Sequence, residues 1–180
     1  MAKLRRFRAY RALERPYTRI SKYKKKSFIK TKTNVKVIRF VTGNPKKTFP
    51  YKLNLISKEG LQIRDNALES GRQSGNKILE TTLGLSNYFM QVRPYPFHIL
   101  RENPLASGAG ADRFSTGMQK SFGKPIGSAA RIKRGQIICT VAVNKQHTPL
   151  AKQALDRFRK KLPGSYFIKI EEQKVSPKII

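Results

Sequence analysis

Hydrophobic and polar residues change period several times along this chain. Val35-Lys36-Val37-Ile38-Arg39-Phe40-Val41 is rich in β-branched residues and predicts a strand. Gly43-Asn44-Pro45 closes it. Tyr51-Lys52-Leu53-Asn54-Leu55-Ile56 alternates with period two and predicts a second strand. From about Arg64 to Leu83 the period lengthens. Ala67, Leu68, Gly71, Gly75, Ile78, Leu79 and Thr82 recur at three- and four-residue steps, which predicts an amphipathic helix. Asp65 is its expected N-cap and Gly84 its expected stop. Gly71, Ser74 and Gly75 are poor helix formers. The lack of bulk on that face predicts a helix lying close against a sheet. Residues 88–93 and 97–101 predict two strands around Pro94-Tyr95-Pro96.

Residues 104–127 break the pattern. Gly108, Gly110, Gly117, Gly123 and Gly127 follow one another quickly, and apolar residues are sparse. A long loop is expected, and such loops inside compact domains are usually functional or disordered. Regularity returns with strands at 129–132 and 136–143. Thr148-Pro149 predicts a helix start, with Thr148 as N-cap and Pro149 in the first helical position. Leu150, Ala154, Phe158 and Leu162 are spaced by four, with Ala151 and Leu155 beside them; Lys152, Arg157, Arg159 and Lys160 form the opposite face. Pro163-Gly164 ends this helix, and 166–170 is the last strand. The Tyr and Phe residues of the body mostly follow strand periodicity and are expected in the core.

Charge changes the picture most. The 180 residues hold 39 Lys and Arg against 10 Asp and Glu, a net charge of +29. A compact body so charged repels itself unless a polyanion is near. Nucleic acid fits, because neutralised phosphates release condensed counterions. An anionic membrane would require a basic amphipathic helix with large apolar anchors, and the basic N-terminal stretch has no sustained helical period. Residues 1–36 carry 14 Lys and Arg with Glu14 as the single acid, interleaved with Phe7, Tyr10, Tyr17, Tyr23 and Phe28. That density is hostile to a core. A basic arm that orders on RNA is favoured over a solubilising disordered tail, since aromatics are depleted from such tails.

Other chemistries find little support. Gly108-Ala109-Gly110-Ala111-Asp112-Arg113 lacks the third glycine and following helix of a dinucleotide fingerprint, and Gly-Lys-Ser/Thr is missing. The loop then reads either as a basic segment bringing bare backbone close to RNA or as a surface loop without a role. His98 and His147 are the only histidines, and neither has a Ser, Cys or acid at a recognisable spacing. No His, Asp, Glu and Cys cluster suggests a metal, and no cofactor is implied. Cys139, the single cysteine, lies in an apolar strand and reads as a buried thiol. A cytosolic protein is the simplest compartment reading. The N-terminus carries charge without the apolar stretch of a secretory signal, and no run of ~18 apolar residues suggests a membrane span.

The central segment resembles a known family. Pro96-Phe97-His98-Ile99-Leu100-Arg101, Ala109-Gly110-Ala111-Asp112-Arg113, Thr116-Gly117-Met118, Phe122-Gly123-Lys124-Pro125 and Gly135-Gln136 follow its order and spacing over roughly forty residues. It is the large-subunit ribosomal protein called ten-e in archaea and eukaryotes, the counterpart of bacterial protein sixteen. Tyr10-Arg11, Pro16-Tyr17 and Ala67-Leu68-Glu69 extend the likeness, and the end of the chain is more similar to archaeal members. Residues 20–36, with Lys24-Lys25-Lys26, depart from the pattern.

The resemblance implies an α+β body of the hammerhead type, a mixed sheet with two packed helices. It also implies a large-subunit component on the ribosome in the cytoplasm, without catalysis. Its partners would be large-subunit rRNA, neighbouring large-subunit proteins and the tRNA acceptor region near the peptidyl transferase centre, with no membrane. The expected organisation is an rRNA-binding arm over 1–34, one domain over 35–175 and a tail over 176–180. Expected arm contacts are Arg5, Arg6, Arg8, Arg11, Arg15, Arg19, Lys22, Lys24 and Lys25. In the loop 107–124, Gly110, Ala111, Asp112, Arg113, Gly117, Lys120 and Lys124 are expected near tRNA. The rival readings are an RNA-binding or RNA-chaperone module outside the ribosome and an RNA-directed enzyme using His98 or His147.

Overall fold

The computed structural model describes residues 5–11, 21–29, 33–103, 108, 110 and 123–173. Strands β1 (Val41–Gly43), β2 (Tyr51–Ser57), β3 (Leu61–Arg64), β4 (Tyr88–Val92), β5 (His98–Glu102), β6 (Lys124–Ile132), β7 (Ile137–Val143) and β8 (Tyr166–Glu172) accompany helices α1 (Asp65–Leu83) and α2 (Thr148–Arg159). One sheet has five strands in the order β1-β4-β7-β2-β8, and a second has three in the order β3-β6-β5. Every pairing between described strands is antiparallel. The α+β architecture with two packed helices is the expected one.

The core lies between the large sheet and the helices. Leu53 and Leu55 of β2, Met90 and Val92 of β4, and Val141 and Val143 of β7 are buried with Leu68 and Leu79 of α1 and with Ala151, Ala154, Leu155 and Phe158 of α2. Alternation along the strands delivers these side chains to one face.

The small face of α1 has a different partner from the expected sheet. A Cβ at Gly71 would sit 3.1 Å from the Phe158 ring of α2, and one at Gly75 would sit 3.2 Å from the Ala154 carbonyl oxygen. Missing bulk on α1 thus lets the two helices approach, with Phe158 filling the space. Met90 of β4 also borders Gly75.

Several boundaries differ from those the sequence predicts. The stretch 35–40 bends at Lys36 and Phe40 and joins no ladder; of the predicted strand, Val41 alone pairs, within β1, with β4. Two of its backbone donors go to side chains of α1 instead. The Lys36 amide donates to Asp65 Oδ2 at 3.1 Å and the Ile38 amide to Glu69 Oε2 at 3.4 Å. β3 was not anticipated: its four residues follow Gly60 directly and merge into α1, so their alternation is too brief to separate from the helix. Asp65 is the first helical residue rather than the cap, a position held by Arg64. Its carboxylate bonds the Asn66 and Lys36 amides. His147, ending a short turn, occupies the cap position of α2, and Thr148 Oγ1 is buried with no hydrogen-bond partner among the described residues. The aperiodic stretch is shorter than 104–127, because β6 begins at Lys124 and Gly127 pairs with Leu100 inside it. Gly84 does end α1, with φ +72°.

Candidate nucleic-acid interface

The three-stranded sheet turns one face to the core, through Leu61 and Ile63 of β3 and Ala130 and Ile132 of β6. Period-two alternation sends Gln62 and Arg64 of β3, Arg131 of β6, and His98, Leu100 and Glu102 of β5 to the other face, and the bulge between Gly127 and Pro125 brings Lys124 to it as well. Residues 5–11 lie on this outer face. Tyr10 is buried there against Leu100, Ala129 and Ile126. Its hydroxyl donates to Glu102 Oε2 at 3.2 Å, and Gln62 Nε2 donates to its carbonyl oxygen. The Arg64 guanidinium sits 5.4 Å from the centre of the Tyr10 ring, within cation–π range, and donates to the Arg5 carbonyl oxygen at 3.2 Å. Burial, then the Glu102 carboxylate, raises the Tyr10 pKa, so the hydroxyl remains a donor.

Acids fasten this segment. Arg5 forms an ion pair with Glu102, and Arg11 with Glu59 at 2.9 Å. Arg6 and Arg8 are exposed and form no ion pair among the described residues. Lys22 and Lys25 are also exposed. Lys24 falls in the turn Lys24–Lys26, whereas Arg15 and Arg19 lie outside the described residues.

Of the loop residues, Ala111, Asp112, Arg113, Gly117 and Lys120 lie outside the described residues. Gly110 is exposed with φ +80°, a conformation that glycine adopts readily. Lys124 opens β6 directly across from Glu102. The chain between them therefore leaves and re-enters the sheet beside the carboxylate that holds Arg5 and Tyr10. The sequence points to the arm and the loop separately but not to Glu102, Gln62 and Arg64, which join residues 5–11 to the sheet. Only their strand alternation hinted that they share a face.

Eight of the ten acids are described, Glu14 and Asp112 being the others. All eight are committed to internal contacts. Glu59 and Glu102 hold the N-terminal segment, and Asp65 and Glu69 hold residues 36 and 38. Glu80 accepts from Asn76, Asp156 pairs with Arg159, and Glu171 and Glu172 bind Asn54 and Tyr51. The acids are thus spent on structure, and the basic excess faces outward. A second basic patch is the outer face of α2, where Lys152, Arg157, Lys160 and Lys161 are exposed beside Arg159.

The groups considered for catalysis look different in place. Burial first, then the charges of Arg131 and Arg101, depress the His98 pKa to about 4. At neutral pH its imidazole is therefore uncharged, and the imidazolium that a histidine general acid uses is scarce. Cys139 is fully buried, which raises its thiol pKa. Among the described residues no three His, Cys, Asp or Glu side chains are grouped to hold a metal, and no helix is long and apolar enough to cross a membrane.

Three proteins named large ribosomal subunit protein uL16 are similar to this chain. That of Methanococcus maripaludis is 44% identical over 171 residues, covering 95% of this chain and 96% of its own. The Archaeoglobus fulgidus protein is 45% identical over 165 residues, covering 92% and 91%. The Staphylothermus marinus protein is 44% identical over 151 residues, covering 83% and 87%. A sequence model of the family described as ribosomal protein L16p/L10e matches residues 18–169. With that extent of match, on a basic surface from which the acids have been withdrawn, the chain belongs to the ribosomal protein L16p/L10e family.

Proposed function

We propose that this protein is a structural, non-catalytic constituent of the large ribosomal subunit that binds large-subunit rRNA. The observation that carries the reading is the commitment of every described acid to an internal contact in a chain of net charge +29. Membership in the family and the names of its relatives support the same reading.

The arm over 1–34 and the domain over 35–175 act as one basic surface. Arg6 and Arg8 project from a segment clamped at Tyr10, so their guanidiniums approach phosphates at little cost in backbone ordering. Arg5 and Arg11 divide their charge between an acid and solvent. Arg15, Arg19, Lys22, Lys24 and Lys25 extend the contact. Recognition is through RNA shape and backbone, since side chains read the A-form major groove poorly. The finer part of the proposal is that 107–124 approaches the acceptor region of tRNA, with Arg113, Lys120 and Lys124 as cations.

The test replaces 107–124 with a Gly-Ser linker and follows both entry into large subunits and peptide synthesis. Normal entry with impaired tRNA handling is expected. Normal entry with normal synthesis overturns the loop's role and leaves an rRNA brace. A wild-type chain that sediments apart from large subunits at moderate salt is a free RNA-binding module, which overturns the ribosomal reading.

A further inference from the structure

Not all aromatic residues entered the core. Phe40, Tyr95 and Phe97 form a continuous row: the Phe40 and Tyr95 rings stack with centroids 5.3 Å apart, and those of Tyr95 and Phe97 are 4.5 Å apart. Phe97 is 72% exposed and Tyr95 38% exposed. Ile38, near Phe40 in the chain, is 76% exposed. Leaving this much apolar area in water is costly, at about 25 cal/mol per Å².

The row is rigidly built. In Arg93-Pro94-Tyr95-Pro96-Phe97 the two prolines are buried and the two rings face out. Proline holds φ near −65°, so the segment presents its rings with little freedom left to lose. The Val92 amide donates to the Phe40 carbonyl oxygen at 2.8 Å, and the Arg93 amide to that of Ile138 at 2.9 Å. The Phe97 amide donates to the Tyr95 carbonyl oxygen at 3.0 Å. Both segments forming the row are thereby pinned to each other and to β7.

The charges flanking the row along the chain are cationic, and the carboxylate that reaches Ile38, Glu69, is paired with Arg72. Residues 33–58 and 88–101 contain no Asp or Glu, while exposed Arg39 and Arg93 immediately precede Phe40 and Pro94. Arg93 is steadied by Thr140, whose Oγ1 lies 3.4 Å from its Nε.

We propose that Tyr95 and Phe97, backed by Phe40, form a stacking platform for unpaired nucleotides of RNA, with Arg39 and Arg93 contacting the flanking phosphates. This rests on the RNA-binding reading above and deepens it. Flat rings accept any base by its π-face, and nearby cations take the backbone, the combination that binds single strands without reading their sequence. A duplex hides its base faces in its own stack and gains nothing from the rings. A protein partner would have to match an apolar row whose neighbouring charges are positive, whereas RNA supplies base face and phosphate together.

The test uses the full-length chain with two probes, a short oligouridylate and a short blunt RNA duplex. Phe97→Ala and Tyr95→Ala are each expected to weaken oligouridylate binding about tenfold and to leave duplex binding unchanged. Phe97→Tyr should retain wild-type binding. The double variant Arg6→Ala/Arg8→Ala, which lies on the arm, should weaken both probes. Phe97 is mostly exposed, so its substitution should leave thermal unfolding unchanged. If wild type binds both probes and the ring variants bind as wild type does, the platform is overturned and the RNA-binding reading survives. If wild type binds neither probe, both fall together. Ring variants that bind both probes normally but fail to enter large subunits would assign the row to a protein neighbour and overturn the proposal.

Discussion

The Tyr10 hydroxyl donates to Glu102 across 92 positions of sequence, and it does so beside the point where β6 returns to the sheet. Glu102 also holds Arg5, so one carboxylate fastens the arm at two places. Tyr10→Phe should keep the packing on Leu100 and Ala129 and lose the hydrogen bond, at about 1 kcal/mol. Hydrogen exchange is expected to show faster opening of residues 5–11, with the rate in β2 and β7 unchanged. Glu102→Ala should loosen the same segment further, because it removes both the acceptor for Tyr10 and the charge facing Arg5.

The contact between Gly71 and Phe158 predicts a packing limit. Gly71→Leu must push Phe158 aside or part the helices, and overpacking of this kind costs about 1–3 kcal/mol. Gly71→Ala sets about 1 kcal/mol of gained helix propensity against a ring that has to give only a few tenths of an ångström. It should therefore be much milder than Gly71→Leu. Urea unfolding of the two variants checks the order.

Gly43 is a sharper case. Its φ is +86°, and a Cβ there would run into the Tyr88 carbonyl oxygen, well inside van der Waals contact. That oxygen already accepts from the Asn44 amide at 2.9 Å. Gly43→Ala is expected to break the β1–β4 pairing and lower the melting temperature by several degrees, whereas Gly84→Ala, with open space around it, meets only the backbone penalty.

Stability should depend on pH through His98. Its folded pKa lies near 4, below the unfolded value of 6.5. Between those values the unfolded chain binds the proton and the folded one does not, so stability falls as pH drops from about 6.5 to 4. Arg131 and Arg101 are the charges that oppose protonation, after burial. His98→Gln should flatten this part of the profile, and an NMR titration should show the His98 imidazole titrating near pH 4.

RNA affinity should fall with salt, because released counterions drive binding. Arg6→Ala and Arg8→Ala should each reduce the slope of log K against log salt by about 0.7–0.9, without altering sequence preference. Arg11→Ala should reduce it less, since Glu59 already offsets that charge. A preference that changes with Arg6→Ala would contradict backbone recognition.

Local periodicity made α1 and α2 visible, since their apolar positions recur at helical steps whatever lies beside them. Strands β2, β4, β5 and β7 were legible for the same reason. Residues 35–40 differ from the predicted strand because β-branched composition favours extended backbone without supplying a partner; Asp65 and Glu69 take the Lys36 and Ile38 amides that a neighbouring strand could have taken. Strand periodicity predicts most Tyr and Phe residues of the body in the core, with Phe97 opening a strand and Tyr95 in the break before it. Two buried prolines hold that segment, and the rings between them turned outward.

By itself the sequence determined the helices, most of the strands, the strongly basic balance and the family signature from Pro96 to Gln136, because each of these is written in neighbouring residues or in their sum. Only the tertiary structure decided which partners the eight described acids would take and which of the described aromatics would stay in water. It also decided that residues 5–11 would lie on the outer face of the β3-β6-β5 sheet with Glu102 beneath them. Those outcomes depend on contacts between residues tens of positions apart, and charge, hydrogen bonding and burial settle them only when the chain has closed on itself.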